Sequence, residues 1–295
     1  MRLVLVCCLW ATLTAAPAMA DGDLVQLATL EEPAGQAADP WTALNPKKLK
    51  LRSEAALIVD KSGNVVFAKH ADEPRPIASI TKLMTAIVVL DSGLPLDEPI
   101  TITKDDRDLI KLTGSRLGYG STLTREELLR LALMASENRA ANALARAYPN
   151  GKKGFVDAMN RKAGTLGMHR SRFADPAGLD PGNVASARDL VTLIEAAQAY
   201  PLIREATTAR SMTVRPYEDR GLLRFGNTNR LLRRAEWEIG LSKTGYINEA
   251  GRCLAMQTAI ADRPLVIVLL DSFGKLTPFG DSNRIRRWIE SQING

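Results

Sequence analysis

The chain has 295 residues, 45% of them apolar and 24% charged, with 39 Lys and Arg against 33 Asp and Glu for a formal charge of +6. That balance excludes collagen, coiled coil and low-complexity disorder, and it suits one large two-layer unit or two closely packed lobes. The basic excess is small and dispersed, with no basic run interleaved with aromatics. Nucleic-acid binding therefore has no support, and only weak attraction to an anionic cell-wall polymer remains.

In chain order, MRLVLVCCLWATLTAAPAMA carries one Arg, an apolar run from Leu3 to Leu13 and a small-residue end, the layout of a secretory signal peptide cut after Ala20. No charged stop-transfer block follows, so no stable membrane anchor is expected. Val6 rather than a small residue precedes Cys7, which argues against lipoprotein processing. Removal of the signal leaves 38 basic against 33 acidic residues, a charge of +5, and a single thiol, Cys253, which reads as a small buried hydrophobe. Residues 21–48 mix Pro, Gly, Ala and acids without a period and read as a linker. Residues 49–295 then read as one domain with a sheet lobe and a helical lobe.

AALIVD and NVVFAK, joined across Lys61-Ser62-Gly63, predict a hairpin. IASITKLMTAIVVLDSG has no internal breaker and ends in Gly93, which predicts a helix with a glycine cap. TREELLRLALMASENRAANALARA, opened by a Thr124/Glu127 capping box, predicts another. FVDAMNRKAGTLG and SARDLVTLIEAAQAY predict two more, with the turn-rich DPAGLDPGN between them. IGLSKTG, RCLAMQTAIA and PLVIVLLDS read as strands, the last two joined by a turn at Ala261-Asp262-Arg263, and SNRIRRWIESQ as a closing helix. Strands at both ends around a helical middle predict an α+β fold: one antiparallel sheet built from both termini, an inserted helical lobe and a cleft between them.

Several chemistries are disfavoured. With only His70 and His169, no HExxH and no paired Cys, a zinc site cannot be assembled, and neither a metal nor another cofactor is implied. No GxSxG elbow and no P-loop occur. What remains is Ser79-Ile80-Thr81-Lys82. On a helix, positions i and i+3 lie about 5–6 Å apart at Cβ, so the amine can reach the hydroxyl. A buried Lys loses hydration and becomes a usable base, and a Ser at a helix start keeps a free N–H for an oxyanion. The pattern alone is weak: Ser272-Phe273-Gly274-Lys275 repeats it and reads as a turn. Ser136-Glu137-Asn138 in the helical lobe and Lys243-Thr244-Gly245 on a late strand complete an ordered set, spaced by 57 and 107 residues. S-x-N also has a copy, Ser62-Gly63-Asn64, in the hairpin turn.

S-x-x-K, S-x-N and K-T-G in this order resemble the active-site signature of penicillin-binding proteins and serine β-lactamases. Glu137 stands where the usual middle motif has Asp. The segments RPIASITKLMTAIVVLDSG, MASENRAANALA, NVASARDL, FGNTNRLL and GLSKTGYINEAG extend the resemblance to the low-molecular-mass D-alanyl-D-alanine peptidases, most closely their soluble periplasmic endopeptidase branch. The resemblance implies a transpeptidase-like fold and an acyl-enzyme on Ser79, with Lys82 as base and Ser136 as proton relay. It implies that Asn138 holds the substrate amide, that Lys243, Thr244 and Gly245 receive the substrate, and that the N–H groups of Ser79 and Tyr246 form the oxyanion hole. Peptidoglycan stem peptides and their cross-links would be substrates, β-lactams covalent inhibitors, and the periplasm the location. None of Glu195, Glu205, Glu218, Glu236 or Glu238 has Asn four residues on, which argues against a class A β-lactamase. The end of the chain soon after Trp288, without an amphipathic extension, favours endopeptidase over carboxypeptidase. A cell-wall binding module with a retired site is the expectation from another class, and the intact motifs oppose it.

Overall fold

The computed structural model describes residue 41 and residues 44–293; the expected signal peptide and the linker up to residue 40 lie outside the described residues. Five antiparallel strands form the main sheet: β1 (Ser53–Asp60), β2 (Val65–Lys69), β3 (Glu238–Ile247), β4 (Gly251–Ile260) and β5 (Arg263–Ser272), in the spatial order β2-β1-β5-β4-β3. The hairpin at the start of the domain thus joins the three late strands through β1 and β5, as the sequence implies, with Leu57 opposite Val268.

Both sheet faces are covered, which is why the strands read as continuous apolar runs rather than alternating ones. In β5, Val266, Val268 and Leu270 enter the large core shared with the helices, while Leu265, Ile267 and Leu269 enter a smaller core on the other face. Burying six such side chains contributes roughly 10 kcal/mol before the cost of ordering the strand. Left-handed Ala261 and Asp262 turn β4 back into β5, the conformation that a two-residue hairpin needs.

The second face is closed by the last helix, α7 (Thr277–Ile293), and by the segment before β1. Leu44 and Leu49 are buried there, and the Trp288 indole donates to Asn45 O at 3.1 Å. The end of the expected linker is therefore packed chain: Pro46–Lys48 forms a short 3-10 helix capped by the Asn45 side chain.

The helical lobe holds α1 (Lys82–Asp91), α2 (Arg125–Met134), α3 (Asn138–Arg146), α4 (Gly151–Thr165), α5 (Ala187–Gln198) and α6 (Pro201–Thr208); α7 (Thr277–Ile293) closes the described chain. Every α1 residue from Lys82 to Val89 is buried, so α1 has no polar face to show in the sequence. Three expectations need correction. The helix expected from Thr124 to Ala147 is two helices, because Ser136 adopts a left-handed φ of 59° that no helix continues through. Pro201–Thr208 is a helix that was not foreseen, opened by a Pro that suits a first turn. The closing helix begins at Thr277 rather than Ser282, for the same reason: Pro278 sits in its first turn. No helix among the described residues is long and apolar enough to cross a membrane.

Candidate active site

The Ser79 segment is the junction of the two lobes. Ile77 N donates to Asn183 O at 3.0 Å, Ala78 takes a left-handed φ of 47°, and Ala78–Thr81 winds as a 3-10 helix into α1. Ser79 is thus the second residue of a helical turn, where a backbone N–H has no intrahelical acceptor. Two glycines press on the peptide before it. A Cβ on Gly178 would lie 2.0 Å from Ala78 O, and one on Gly245 would lie 2.8 Å from Ile77 O and 3.1 Å from Ser79 N. The approach of edge strand β3 and of the 175–183 loop to this peptide requires both positions to lack a side chain.

Lys82 is fully buried, and its amine has three partners: Ala177 O at 2.6 Å, Asn138 Oδ1 at 2.8 Å and Ser79 Oγ at 2.8 Å. The first two are acceptors only. They take two N–H bonds, so in a neutral amine the lone pair is left facing the Ser79 hydroxyl. Burial pushes the amine down to about 8, against the carboxylates of Asp175, Glu137 and Asp108, which favour its charged form. A nitrogen so placed can accept the proton of Ser79 near neutral pH.

The break between α2 and α3 delivers the second motif. Ala135 N and Glu137 N both bond to Leu131 O, which ends α2 in a C-cap with left-handed Ser136 in the glycine position. Glu137 caps α3 by accepting from Arg139 N at 3.1 Å, which turns Asn138 inward as the first residue of α3. The Asn138 amide donates to Thr113 Oγ1 at 2.9 Å, and that bond fixes which end of the amide faces Lys82. Thr113 is itself held by Asp108, whose carboxylate accepts from Thr113 N, Thr113 Oγ1, Ile110 N and Lys111 N.

On β3, Lys243 is buried and donates to Ser136 Oγ at 2.9 Å and to Thr244 O at 3.0 Å. Burial, and then the nearby Lys82, lower its amine well below the ordinary lysine value. The lysine expected to bring positive charge is therefore pushed toward the neutral amine. The Thr244 hydroxyl donates to Thr228 Oγ1 at 2.6 Å. Tyr246 is exposed on the same edge strand, with the Arg252 guanidinium 3.4 Å above its ring.

All eight expected site residues converge: Ser79, Lys82, Ser136 and Asn138 where the lobes meet, and Lys243, Thr244, Gly245 and Tyr246 along the facing strand. Six of them, Ser79, Ser136, Asn138, Thr244, Gly245 and Tyr246, border a groove of about 860 Å³, and the buried Lys82 and Lys243 lie behind it, bonded to Ser79 and Ser136. Neither histidine takes part, since His70 pairs with Glu73 at the surface and His169 is exposed. Cys253 is buried, its thiol pushed up to about 12 by burial, as a small core residue would be.

Four groups were not foreseen: Ala177 O, Asp175, Thr113 and Thr228. Asp175 organises the loop that carries Ala177. Its carboxylate accepts from the N–H groups of Ala177, Gly178, Leu179 and Asp180 at 2.5–2.9 Å and from the Asn183 side chain at 2.7 Å. The Asp-Pro turn signal of DPAGLDPGN marks such a loop, but a backbone carbonyl has no residue signature.

Residues 42–274 match the D-alanyl-D-alanine carboxypeptidase family, peptidase S11. The chain is 47% identical over 256 residues to a D-alanyl-D-alanine endopeptidase of Pseudomonas aeruginosa, covering 86% of this chain and 83% of that one. It is 47% identical over 251 residues to the D-alanyl-D-alanine endopeptidase of Escherichia coli K12, covering 85% and 80%. Penicillin-binding protein D2 of Listeria monocytogenes, solved in a cefotaxime-bound form, superposes with a TM-score of 0.72 at 27% identity over 82% of this chain and 98% of its own. With the motifs assembled in one groove and the family matched over most of its length, the chain belongs to the peptidase S11 (D-alanyl-D-alanine carboxypeptidase) family of serine hydrolases.

Proposed function

We propose that the protein is a periplasmic D-alanyl-D-alanine endopeptidase that opens D-alanyl-diaminopimelyl cross-links of peptidoglycan through an acyl-enzyme on Ser79. The observation that carries this is the three-partner seat of Lys82, in which two obligate acceptors leave the third direction for the Ser79 hydroxyl.

Ser79 Oγ attacks the D-alanyl carbonyl carbon while its proton passes to Lys82 Nζ. The oxyanion receives the N–H groups of Ser79 and Tyr246. Collapse breaks the C–N bond, and the proton that Lys82 took from Ser79 passes to the leaving amine by way of the Ser136 hydroxyl, which leaves Lys82 neutral again and Ser136, bonded to Lys243, unchanged. Water then attacks the ester carbonyl while Lys82 takes one of its protons, and the C–O bond to Ser79 breaks as that proton passes from Lys82 to Ser79 Oγ. Asn138 presents its amide to the substrate backbone while holding Lys82. A substrate carboxylate beside Thr244 favours the charged form of Lys243. A β-lactam offers the same carbonyl and stays as the acyl-enzyme. The two endopeptidase relatives support cross-links over single stems as substrate. A signal peptide cut after Ala20 would deliver the enzyme to the periplasm.

Mass-resolved digestion of purified cross-linked peptidoglycan by the mature protein, beside Ser79→Ala, tests the reading. Dimeric muropeptides should fall to monomers with Ser79 and persist without it. Loss of only a terminal D-Ala from pentapeptides would make the enzyme a carboxypeptidase, and no Ser79-dependent change would leave a binding module.

A further inference from the structure

Next to the catalytic groove lies a second, strongly basic hollow that the chemistry at Ser79 does not use. The hairpin made by Ser211–Val214 and Leu223–Gly226 leads directly into Asn227 and Thr228, and Thr228 is the residue that holds the Thr244 hydroxyl. On this hairpin and the short helix after it, Arg210, Arg224 and Arg233 surround a hollow of about 420 Å³. Arg233 also lines the catalytic groove, as does Arg230, so hollow and groove adjoin at Arg233.

The charges in this hollow are not answered by carboxylates among the described residues. Several guanidinium groups elsewhere sit on carboxylates, among them Arg75 on Asp271, Arg130 on Glu126, Arg146 on Asp106 and Arg188 on Asp72. Around the hollow, Arg210, Arg230 and Arg233 have no ion pair among the described residues, and Arg224 donates only to the Ser211 hydroxyl at 3.2 Å. Arg116 adds a further cation, lying 4.0 Å over the Phe225 ring and donating to Arg224 O at 2.7 Å. Like charges gathered without counter-charges repel one another and cost the folded state, and they concentrate anions at the mouth of the groove.

We propose that this arginine cluster is the subsite for the free carboxylates of the leaving stem peptide, so that the enzyme reads a cross-linked, multiply anionic peptide rather than a single terminal D-Ala. The inference rests on the cross-link reading above. In a cross-link the scissile D-alanyl carbonyl is joined to a side-chain amine of a second stem, and that second stem carries carboxylates of its own. In the proposed mechanism the substrate carboxylate, carried by the leaving side, lies beside Thr244, and Thr228 ties Thr244 to the hairpin. Guanidinium forks suit planar carboxylates, and several exposed ones add affinity and encounter rate without touching the bond that breaks.

The test is steady-state cleavage of purified dimeric muropeptide by wild type, by Arg210→Gln/Arg224→Gln and by Arg210→Lys/Arg224→Lys. Acylation by a fluorescent penicillin, which carries no second stem, checks the integrity of the Ser79 site. The Gln pair should raise KM for the dimer about five- to tenfold with kcat little changed, the gain expected from two exposed charge contacts. Its rate should also depend less on salt, the Lys pair should recover most of the loss, and penicillin acylation should match wild type. An unchanged KM in the Gln pair, with wild type cleaving the dimer, overturns the subsite while leaving the endopeptidase reading intact. If wild type leaves the dimer whole and trims pentapeptides, the cross-link reading fails first and takes the subsite with it.

Discussion

The chain spells Ser-x-x-Lys at 79–82 and again at 272–275, and the two sites differ in everything except that pattern. Ser79 opens a helical turn in the cleft, three residues before a lysine that the fold buries completely. Ser272 ends β5 with its hydroxyl 2.7 Å from that of Ser53, which in turn donates to the buried Asp281 carboxylate. Lys275 follows in an exposed turn and forms no bond to Ser272. The lesson is about desolvation. A lysine in water keeps its proton, whereas the same side chain, stripped of water and given two fixed acceptors, becomes a base. Burial and neighbours make the site, and the spacing only permits it.

The comparison breaks most sharply at Lys82. Lys82→Met should reduce acylation of Ser79 about 10³-fold, the range for removing a general base, as measured by mass spectrometry of the penicilloyl enzyme. In wild type the acylation rate should climb with pH and level off above about 8, where the amine is neutral, and this rise should vanish in the variant. Stability follows the same titration. Because the folded-state value lies below the ordinary lysine value of 10.5, the unfolded chain binds more protons between the two. Lys82 therefore costs the fold stability below about pH 8, and the cost fades as pH rises toward 10.5. Wild type should gain on Lys82→Met across that window in urea titrations.

Asp175 sharpens the comparison, since the second pattern has no counterpart to it. Asp175→Asn replaces a carboxylate that accepts five N–H bonds by an amide with one acceptor, so the loop loosens around Ala177 O. Acylation should fall about 10- to 100-fold, in the range of other groups that position a reacting side chain. A purely structural role predicts only that loss. Removal of the negative charge nearest in effect to Lys82 also predicts that the pH inflection moves below its wild-type place near 8. An unmoved inflection would reduce Asp175 to a loop staple.

The sheet was legible because strands buried on both faces read as continuous β-branched, apolar runs bounded by turns, and the two-residue turn at Ala261 and Asp262 supports the register. The eight expected site residues were legible because seven of them stand in the three motifs and Tyr246 directly follows the last. The break at Ser136 was not, since TREELLRLALMASENRAANALARA has the composition of one continuous helix and the left-handed residue is imposed by capping and by the Lys243 contact. Asp175 and Thr113 were missed for a different reason. They act through backbone geometry or through another residue, and neither leaves a pattern of spacing.

The smallest effect belongs to the second serine and completes the comparison. Ser272→Ala removes a buried hydroxyl that shares a network with Ser53 and Asp281, but Asp281 keeps its bonds from Arg52 N, Ser53 N and the Ser53 hydroxyl. Only one hydrogen bond is lost, so the expected cost is about 1–2 kcal/mol. In a domain of this size that amounts to a fall of roughly 2–6 °C in Tm. Acylation by penicillin and cleavage of the cross-link should match wild type, because nothing in the Ser53 and Asp281 network reaches Lys82. A loss of activity out of proportion to the loss of Tm would mean that the end of β5 is coupled to the groove, through Gly251, whose added Cβ would meet Asp271 at 2.7 Å.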